Sequence, residues 1–584
     1  MGPIALTAEM RRTILYCFLL AILPVLPYSL RAGEFRVAVI PVEFSDIRFE
    51  DGTARIESLA STAASYFNAQ FSPSRSFSFT VLEPVRLRGT RSRYFSNSSS
   101  RRDTGLPEAL SEACTGSGAD FSLFDGDGDG FIEAIYIVCA GKAESEGGGS
   151  DAVWPQQGFL HDRGGTFTID GKTADCFAAC AESSTAGIFC HELAHAFGLC
   201  DLYDTDGNGS GGLSPGVLGS PSLMDEGTGD TPPNFCALEI EQLGLASPIA
   251  PSRGYHTLRP LGESRDYIRI GSDTEDEYFL LECRSPRGWD SGLQGEGGLL
   301  IYHIDRSAND CWYSDYYRRS LSAAERWSFN QVNCRPDRQC ARILPALSGS
   351  TNVAEGYFPY GERDSFGSET DPAFRFRSGA TSDFAITGIT RLDGGRVGFN
   401  IIVPLSVTET HPFQDAAIIV WTADETLDIP ECSYSWYAEG DKGTGRISTG
   451  TAPRQNDGNF YAILEGLQPQ TGYTVVIRAV TTEGQAYTKT ISLQTKSVQK
   501  GARPFIYLKM LSRRPDGSYV AGSAIPMRVY NAIGAKEVRW YFNGMRMHPE
   551  SDGQWHLTVS GTLTAEVYYD DGSVDIICKK MTVR

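Results

Sequence analysis

The chain has 584 residues and a formal net charge of −20, from 72 Asp and Glu against 52 Lys and Arg. That balance excludes a general binder of nucleic acid or of anionic membrane, which needs basic surface. A hydrophobic share of 41% excludes a largely disordered chain, and the length suits roughly three or four domains.

At the start, Arg11 and Arg12 precede an apolar run from Ile14 to Leu26. Pro24 and Pro27 lie near its end, and Ser29 and Ala32 follow. This order predicts a signal peptide over 1–32, cleaved near Ala32-Gly33. The run is too short and too broken by proline to span a bilayer, and no later segment is long enough. The expected location is therefore exported: secreted, periplasmic or cell-surface. Export permits disulfides. Of 14 cysteines, Cys17 leaves with the signal, so an odd number remains and at least one thiol is unpaired or bridges chains.

Residues 35–46, rich in β-branched side chains, read as a buried strand. Ile56, Leu59, Ala63 and Tyr66 recur at helical spacing within 51–70. A strand is predicted over 76–82, a Ser/Arg-rich loop over 90–104 and a helix over 106–114. Next come Asp125, Asp127 and Asp129 with Gly130, the 1, 3, 5, 6 pattern of a calcium loop. Tyr136 stands where the bidentate Glu of an EF-hand would be, and 134–140 reads as a strand. The prediction is a Ca²⁺ loop outside a true EF-hand, with Phe131 giving a carbonyl and Glu133 a carboxylate; the alternative is an acidic turn.

Ser183, Ser184 and Thr185 offer a cap to a helix carrying His191-Glu192-Leu193-Ala194-His195-Ala196-Phe197-Gly198-Leu199-Cys200-Asp201. This is H-E-x-x-H-x-x-G-x-x-D. Residues four apart share a helix face, so His191 and His195 present two imidazoles to one point, a donor pair suited to Zn²⁺. Gly198 permits a left-handed turn that ends the helix and returns Asp201 as third ligand. Cys200 is the competing candidate. Glu192 is placed to take a proton from a zinc-activated water. Asp204, Asp206 and Asn208 repeat the cation-loop spacing, or serve simply as turn residues. Met224 after Leu223 suggests a Met-turn under the site. Tyr203 is a candidate oxyanion donor or a packing residue. His303 and Asp305 read as a structural pair or as residues flanking the substrate.

Several blocks resemble, in order, the M6 family of secreted metallopeptidases, the immune inhibitor A type. They are 42–46, 125–133, 191–204, Leu223-Met224, 237–244, 277–284 and 297–305. The resemblance implies an M6-like metallopeptidase domain over 33–403, with a β-rich second half from about 251. It implies an α+β zincin/metzincin-like fold, zinc as cofactor and protein or peptide substrates. The family has Pro where this chain has Cys200, and a long propeptide before the first strand that this chain lacks. After Pro404, strand-length runs alternate with turns, the pattern of all-β sandwiches. Residues 405–497 resemble a fibronectin type III module with Tyr473 as its corner tyrosine. Residues 498–584 look immunoglobulin-like, with Trp540 as core anchor and a turn at Asp571-Gly572. Such modules suit contact with a cell surface, matrix or glycoprotein. The competing reading of the whole is a non-catalytic, calcium-stabilised adhesin on a protease-like scaffold, against which the intact Glu192 argues.

Overall fold

The fold is that of a computed structural model. It describes residues 33–584 apart from 51, 99–101, 215–217, 272–275, 309, 440–446, 457, 498–502, 507–513, 515 and 549–553. The signal peptide expected over 1–32 lies outside the described residues. Two compact units are present. One holds residues through Pro251 with Thr257–Asp364 and Ile389–Gly398; the other holds Ser252–His256, Ser365–Gly388 and Phe399–Arg584.

The first unit is built on a six-stranded sheet. Its opening strand, Glu34–Glu43, pairs in parallel with Ser76–Val81 and with Ala134–Cys139. Ala134–Cys139 pairs in parallel with Cys176–Ala181, and Gln156–Phe159 closes that side antiparallel. A parallel sheet must be covered on both faces, which is why its strands read as continuous apolar runs. Phe35, Val37 and Val39 face the helix Ala54–Phe71 and the motif helix, Ala186–His195. Ala38, Ile40 and Val42 face the helix Leu106–Ser117 on the other side. The predicted 90–104 loop contains a short helix, Arg91–Phe95, because Tyr94 and Phe95 are core anchors within a polar stretch. Leu106–Ser117 outruns its prediction and stops where Gly118 turns left-handed, φ +64°.

The motif helix is fixed at its start. Thr185 is its N-cap and accepts a hydrogen bond from the Ile188 amide at 3.1 Å. Phe189 stacks on Tyr136 of the central sheet, ring centroids 3.9 Å apart. The Gly187 amide donates to the Gly229 carbonyl at 2.8 Å.

The second half of this unit carries an antiparallel sheet of Tyr267–Gly271, Glu277–Arg284, Gly298–Asp305 and Ala341–Ile343. A hairpin, Cys311–Ser314 with Arg319–Ser322, leads into a short helix, Ala323–Ser328. Arg284 is fully buried and pairs with Glu282 at 3.1 Å and Asp290 at 3.3 Å. The same group donates to the Asn234 carbonyl, and Glu282 accepts from the Ala237 amide. A buried charge needs such compensation, and the pairing here fastens the antiparallel sheet to the helix Ala237–Leu243.

Among its described residues the second unit is all β apart from turns. Strands Leu405–Pro412, Ala416–Ala423 and Asn459–Glu465 form one sheet; Ser448–Pro453, Glu431–Ala438, Gly472–Val480 and Ala486–Gln494 form another. The Tyr473 hydroxyl accepts from the Gln468 amide at 2.7 Å, the bond a corner tyrosine makes. Further on, Met545–Met547, Ala535–Phe542, Gly561–Tyr569 and Val574–Met581 form a four-stranded sheet with Trp540 in its core. Gly572 takes φ +83° in the expected turn. No helix among the described residues is long and apolar enough to cross a membrane. The described cysteines are all free thiols, most of them buried.

A Cβ on Gly187 would lie 2.4 Å from the Thr228 carbonyl carbon. Gly187→Ala is therefore expected to push the motif helix off the 228–229 loop and destabilise the protein by about 1–3 kcal/mol. A thermal melt measures this; an unchanged midpoint would mean the loop yields freely.

Candidate metal centre

The helical spacing brings His191 and His195 to one side, with ring centroids 4.8 Å apart. Gly198 is left-handed at φ +92°, and the chain returns so that Asp201 Oδ1 lies 3.0 Å from His191 Nε2 and 3.2 Å from His195 Nε2. One ligand atom from each of these three residues falls within 4.8 Å of the others. Cys200 Sγ instead donates to the Trp327 carbonyl at 3.3 Å.

The far side of each imidazole is also fixed. His191 Nδ1 meets the Leu223 carbonyl at 2.9 Å, and His195 Nδ1 meets the Leu199 carbonyl at 2.8 Å. A carbonyl only accepts, so both Nδ1 atoms carry hydrogen and both Nε2 atoms are left for Asp201 or a metal. The Leu223 carbonyl belongs to the predicted Met-turn. Met224 is buried there; its amide donates to Glu239 at 3.0 Å and its carbonyl accepts from the Leu202 amide at 2.8 Å. Glu239 is buried and also caps the Ala237–Leu243 helix through the Cys236 amide.

Two imidazoles and a carboxylate are a donor set that zinc accepts, and the convergence of their free atoms fits a single ion. Burial lowers the His191 pKa, but the Asp201 hydrogen bond and the nearby Glu192 charge outweigh it, leaving it raised to about 9. His195 is raised in the same way, with the Asp201 charge overcoming burial. Burial pushes Asp201 up, yet the two histidines hold it well below the ordinary carboxylate range. Glu192 is raised by burial. Tyr203, 36% exposed, sets its ring 6.1 Å from that of His191.

The structure adds one residue that no local pattern reveals. Asn330 accepts from the Asp201 amide at 2.7 Å and donates to Asp201 Oδ2 at 2.6 Å. Its only sequence signal is residue type, since Asn tolerates the left-handed backbone, φ +54°, found there. His303 Nε2 lies 2.8 Å from Glu277 Oε1 inside the antiparallel sheet.

Asp125, Asp127 and Glu133 also gather, their ligand atoms within 4.8 Å. Glu133 Oε1 accepts from the Gly126 and Asp127 amides, while Glu133 Oε2 and Asp125 Oδ1 are buried with no hydrogen-bond partner among the described residues. The Lys172 ammonium meets Asp125 Oδ2 at 2.6 Å. Burial, against its amide bonds, raises the Glu133 pKa to about 7. Asp129 is outside that group and accepts from the Phe131 amide. Asp204 and Asp206 gather with Cys334, and Asn208 is exposed. Asp204 is engaged by the amides of Asp206, Gly207 and Ser214, the bonding of a turn.

With this geometry in place, residues 41–243 match the family model described as immune inhibitor A peptidase M6, catalytic domain. The class this defines is a peptidase catalytic domain. Within it, that segment, about a third of the chain, is similar to the M6 family. Immune inhibitor A of Bacillus thuringiensis subsp. alesti is 28% identical over 226 residues, covering 32% of this chain and 31% of that protein. The chain thus spans about a third of the curated relative it matches. Among solved structures, the fibronectin type III domain of human collagen alpha-1(XX) chain is 22% identical, over 17% of this chain and 83% of that one, with a TM-score of 0.13. A structure titled as a myokine is 18% identical over 16% and 95%, with a TM-score of 0.14. Likeness at that level does not establish a shared fold.

A histidine with a raised folded pKa stabilises fully below its unfolded value, near 6.5, and loses that contribution as pH rises through the folded value. Metal-free protein is therefore expected to lose stability between pH about 6.5 and 9 as His191 deprotonates beside Asp201. Melts of chelator-treated protein across that range check it, and a flat profile would contradict it.

Proposed function

We propose that this chain is an exported zinc-dependent endopeptidase of HExxHxxGxxD type that hydrolyses peptide bonds in proteins. His191, His195 and Asp201 hold the metal and Glu192 is the general base. The observation that carries this reading is the convergence of two imidazole Nε2 atoms on one carboxylate oxygen, beside a buried glutamate, within a peptidase-family segment.

Zinc bound there would supply Lewis-acid charge to the scissile carbonyl and lower the pKa of a water. The Leu223 and Leu199 carbonyls aim the imidazoles and fix their tautomers. Glu192 takes a proton from the attacking water and gives it to the leaving amine; the raised pKa that burial imposes brings it nearer to neutral pH, where a proton shuttle works best. Tyr203, whose hydroxyl burial keeps protonated, is a candidate donor to the developing oxyanion. Met224 packs beneath as the Met-turn of a zincin/metzincin-like α+β domain. Export rests on the leader pattern in 1–32. The fibronectin type III-like and immunoglobulin-like modules, at 405–497 and 498–584, bind or space substrates or surfaces.

Glu192→Ala should lower peptide hydrolysis by at least about 100-fold while zinc stays near one per chain. Casein zymography with metal analysis reads both. Retained activity in a metal-loaded mutant would refute the mechanism, and a wild type that is inactive with zinc bound would favour the adhesin reading.

The Asp125–Glu133 loop is proposed to bind Ca²⁺ through Asp125, Asp127, Asp129, the Phe131 carbonyl and Glu133. Support comes from the two buried, unpartnered carboxylate oxygens. Without the ion, a buried carboxyl whose pKa is raised to about 7 stabilises at low pH and loses that contribution as pH rises from its unfolded value of about 4.5. Calcium added at pH 7.5 to zinc-loaded protein should then raise the melting temperature, by about 2.7 kcal/mol of stability at a hundred times its Kd. Asp127→Ala should blunt the shift. Equal shifts in both proteins would move the ion elsewhere, the loop at Asp204, Asp206 and Asn208 being the next place to test.

A further inference from the structure

We propose that Asn330 is a positioning residue that holds Asp201 as a single-oxygen ligand, so that the metal centre is completed from outside the family-matched segment. The proposal rests on reading His191, His195 and Asp201 as the metal-holding set.

The three ligands are not held alike. The histidines project from one helix and are each tied by Nδ1 to a carbonyl. Asp201 lies on the loop after Gly198, where no helix sets its direction. Its two oxygens divide their partners. Oδ1 faces both imidazoles at 3.0 and 3.2 Å, whereas Oδ2 accepts from Asn330 Nδ2 at 2.6 Å. The Asp201 amide donates to Asn330 Oδ1 at 2.7 Å. Only one orientation of the Asn330 amide satisfies both contacts, because an amide oxygen accepts and an NH2 donates. The carboxylate is thereby turned with one oxygen toward the histidines and the other removed from competition for the metal.

Asn330 is itself well anchored. Its carbonyl accepts from Thr205 Oγ1 at 2.9 Å. Nearby, Asn333 donates to the Leu202 carbonyl at 2.7 Å, and Cys200 Sγ donates to the Trp327 carbonyl. Residues 200–205 are thus laced to residues 327–333, which run from the end of the short helix Ala323–Ser328 into the segment after it. Partners of this kind orient metal ligands, and losing one typically weakens metal binding by about 10–100-fold.

The test separates positioning from simple loop support. Asn330→Gly keeps the left-handed backbone and the Thr205 contact but removes the amide. Asn330→Asp keeps an acceptor for the Asp201 amide and sets an oxygen against Asp201 Oδ2. Zinc affinity is measured by competition with a chromogenic chelator, the ligand field by the visible spectrum of Co²⁺-substituted protein, and stability by melts of the metal-free proteins. Expected for both variants are about 10–100-fold weaker zinc binding and an altered Co²⁺ spectrum. Wild-type zinc affinity and spectrum with only a lower melting temperature would overturn the proposal. Asp201→Ala is the control. If it retains zinc as tightly as wild type, the ligand reading fails and this proposal with it; if it loses zinc while both Asn330 variants do not, only this proposal fails. Should Asn330→Gly not fold, Asn330→Asp alone decides.

Discussion

The side chain of Asp201 is 10% exposed, and a charge so far from water persists only where hydrogen bonds and opposite charge replace its hydration. Much of the surrounding architecture serves that requirement. Two imidazoles face one oxygen, an amide group caps the other, and the backbone of Asp201 is held by the same amide. The helix that carries the imidazoles is in turn fixed by Thr185, by the Tyr136 ring and by contact with Gly229. Loosening any of these would leave a charge buried without its partners.

The helix and its two histidines were legible because helical geometry converts a spacing of four into a shared face, and Gly198 announced the end of that helix. The opening strand was legible because a sheet covered on both faces demands an unbroken apolar run. The Leu223 and Leu199 carbonyls were not, since every residue has a carbonyl and none is marked in sequence. Asn330 was hidden for a different reason. It lies 129 positions from Asp201, and its role depends on how a hairpin and a short helix happen to return. Likewise Arg91–Phe95 read as loop because its polar residues outnumber the two aromatics that anchor it.

Asp204 and Asp206 show how one pattern can carry two meanings. Alternate oxygens suit a cation, yet the same side chains also satisfy amides in tight turns. Asp204 spends its oxygens on three backbone amides, while its neighbour Asp206 keeps one buried oxygen with no donor among the described residues, as Asp125 and Glu133 each do in the first loop. Spacing alone does not separate the two loops; they differ in that two carboxylates of the first loop and one of the second keep such an oxygen.

Lys172 bears on that first loop in another way. Its ammonium sits on Asp125 at 2.6 Å, tethered to a neighbouring strand. A chain-borne cation is at constant effective concentration and cannot be dialysed away. The calcium proposed for this loop would therefore enter as an exchange, taking the place of the ammonium on Asp125. Occupancy would then answer to the competition between a fixed counter-ion and a free one, and the strength of the proposed site would be set as much by Lys172 as by Asp125, the aspartate it neutralises.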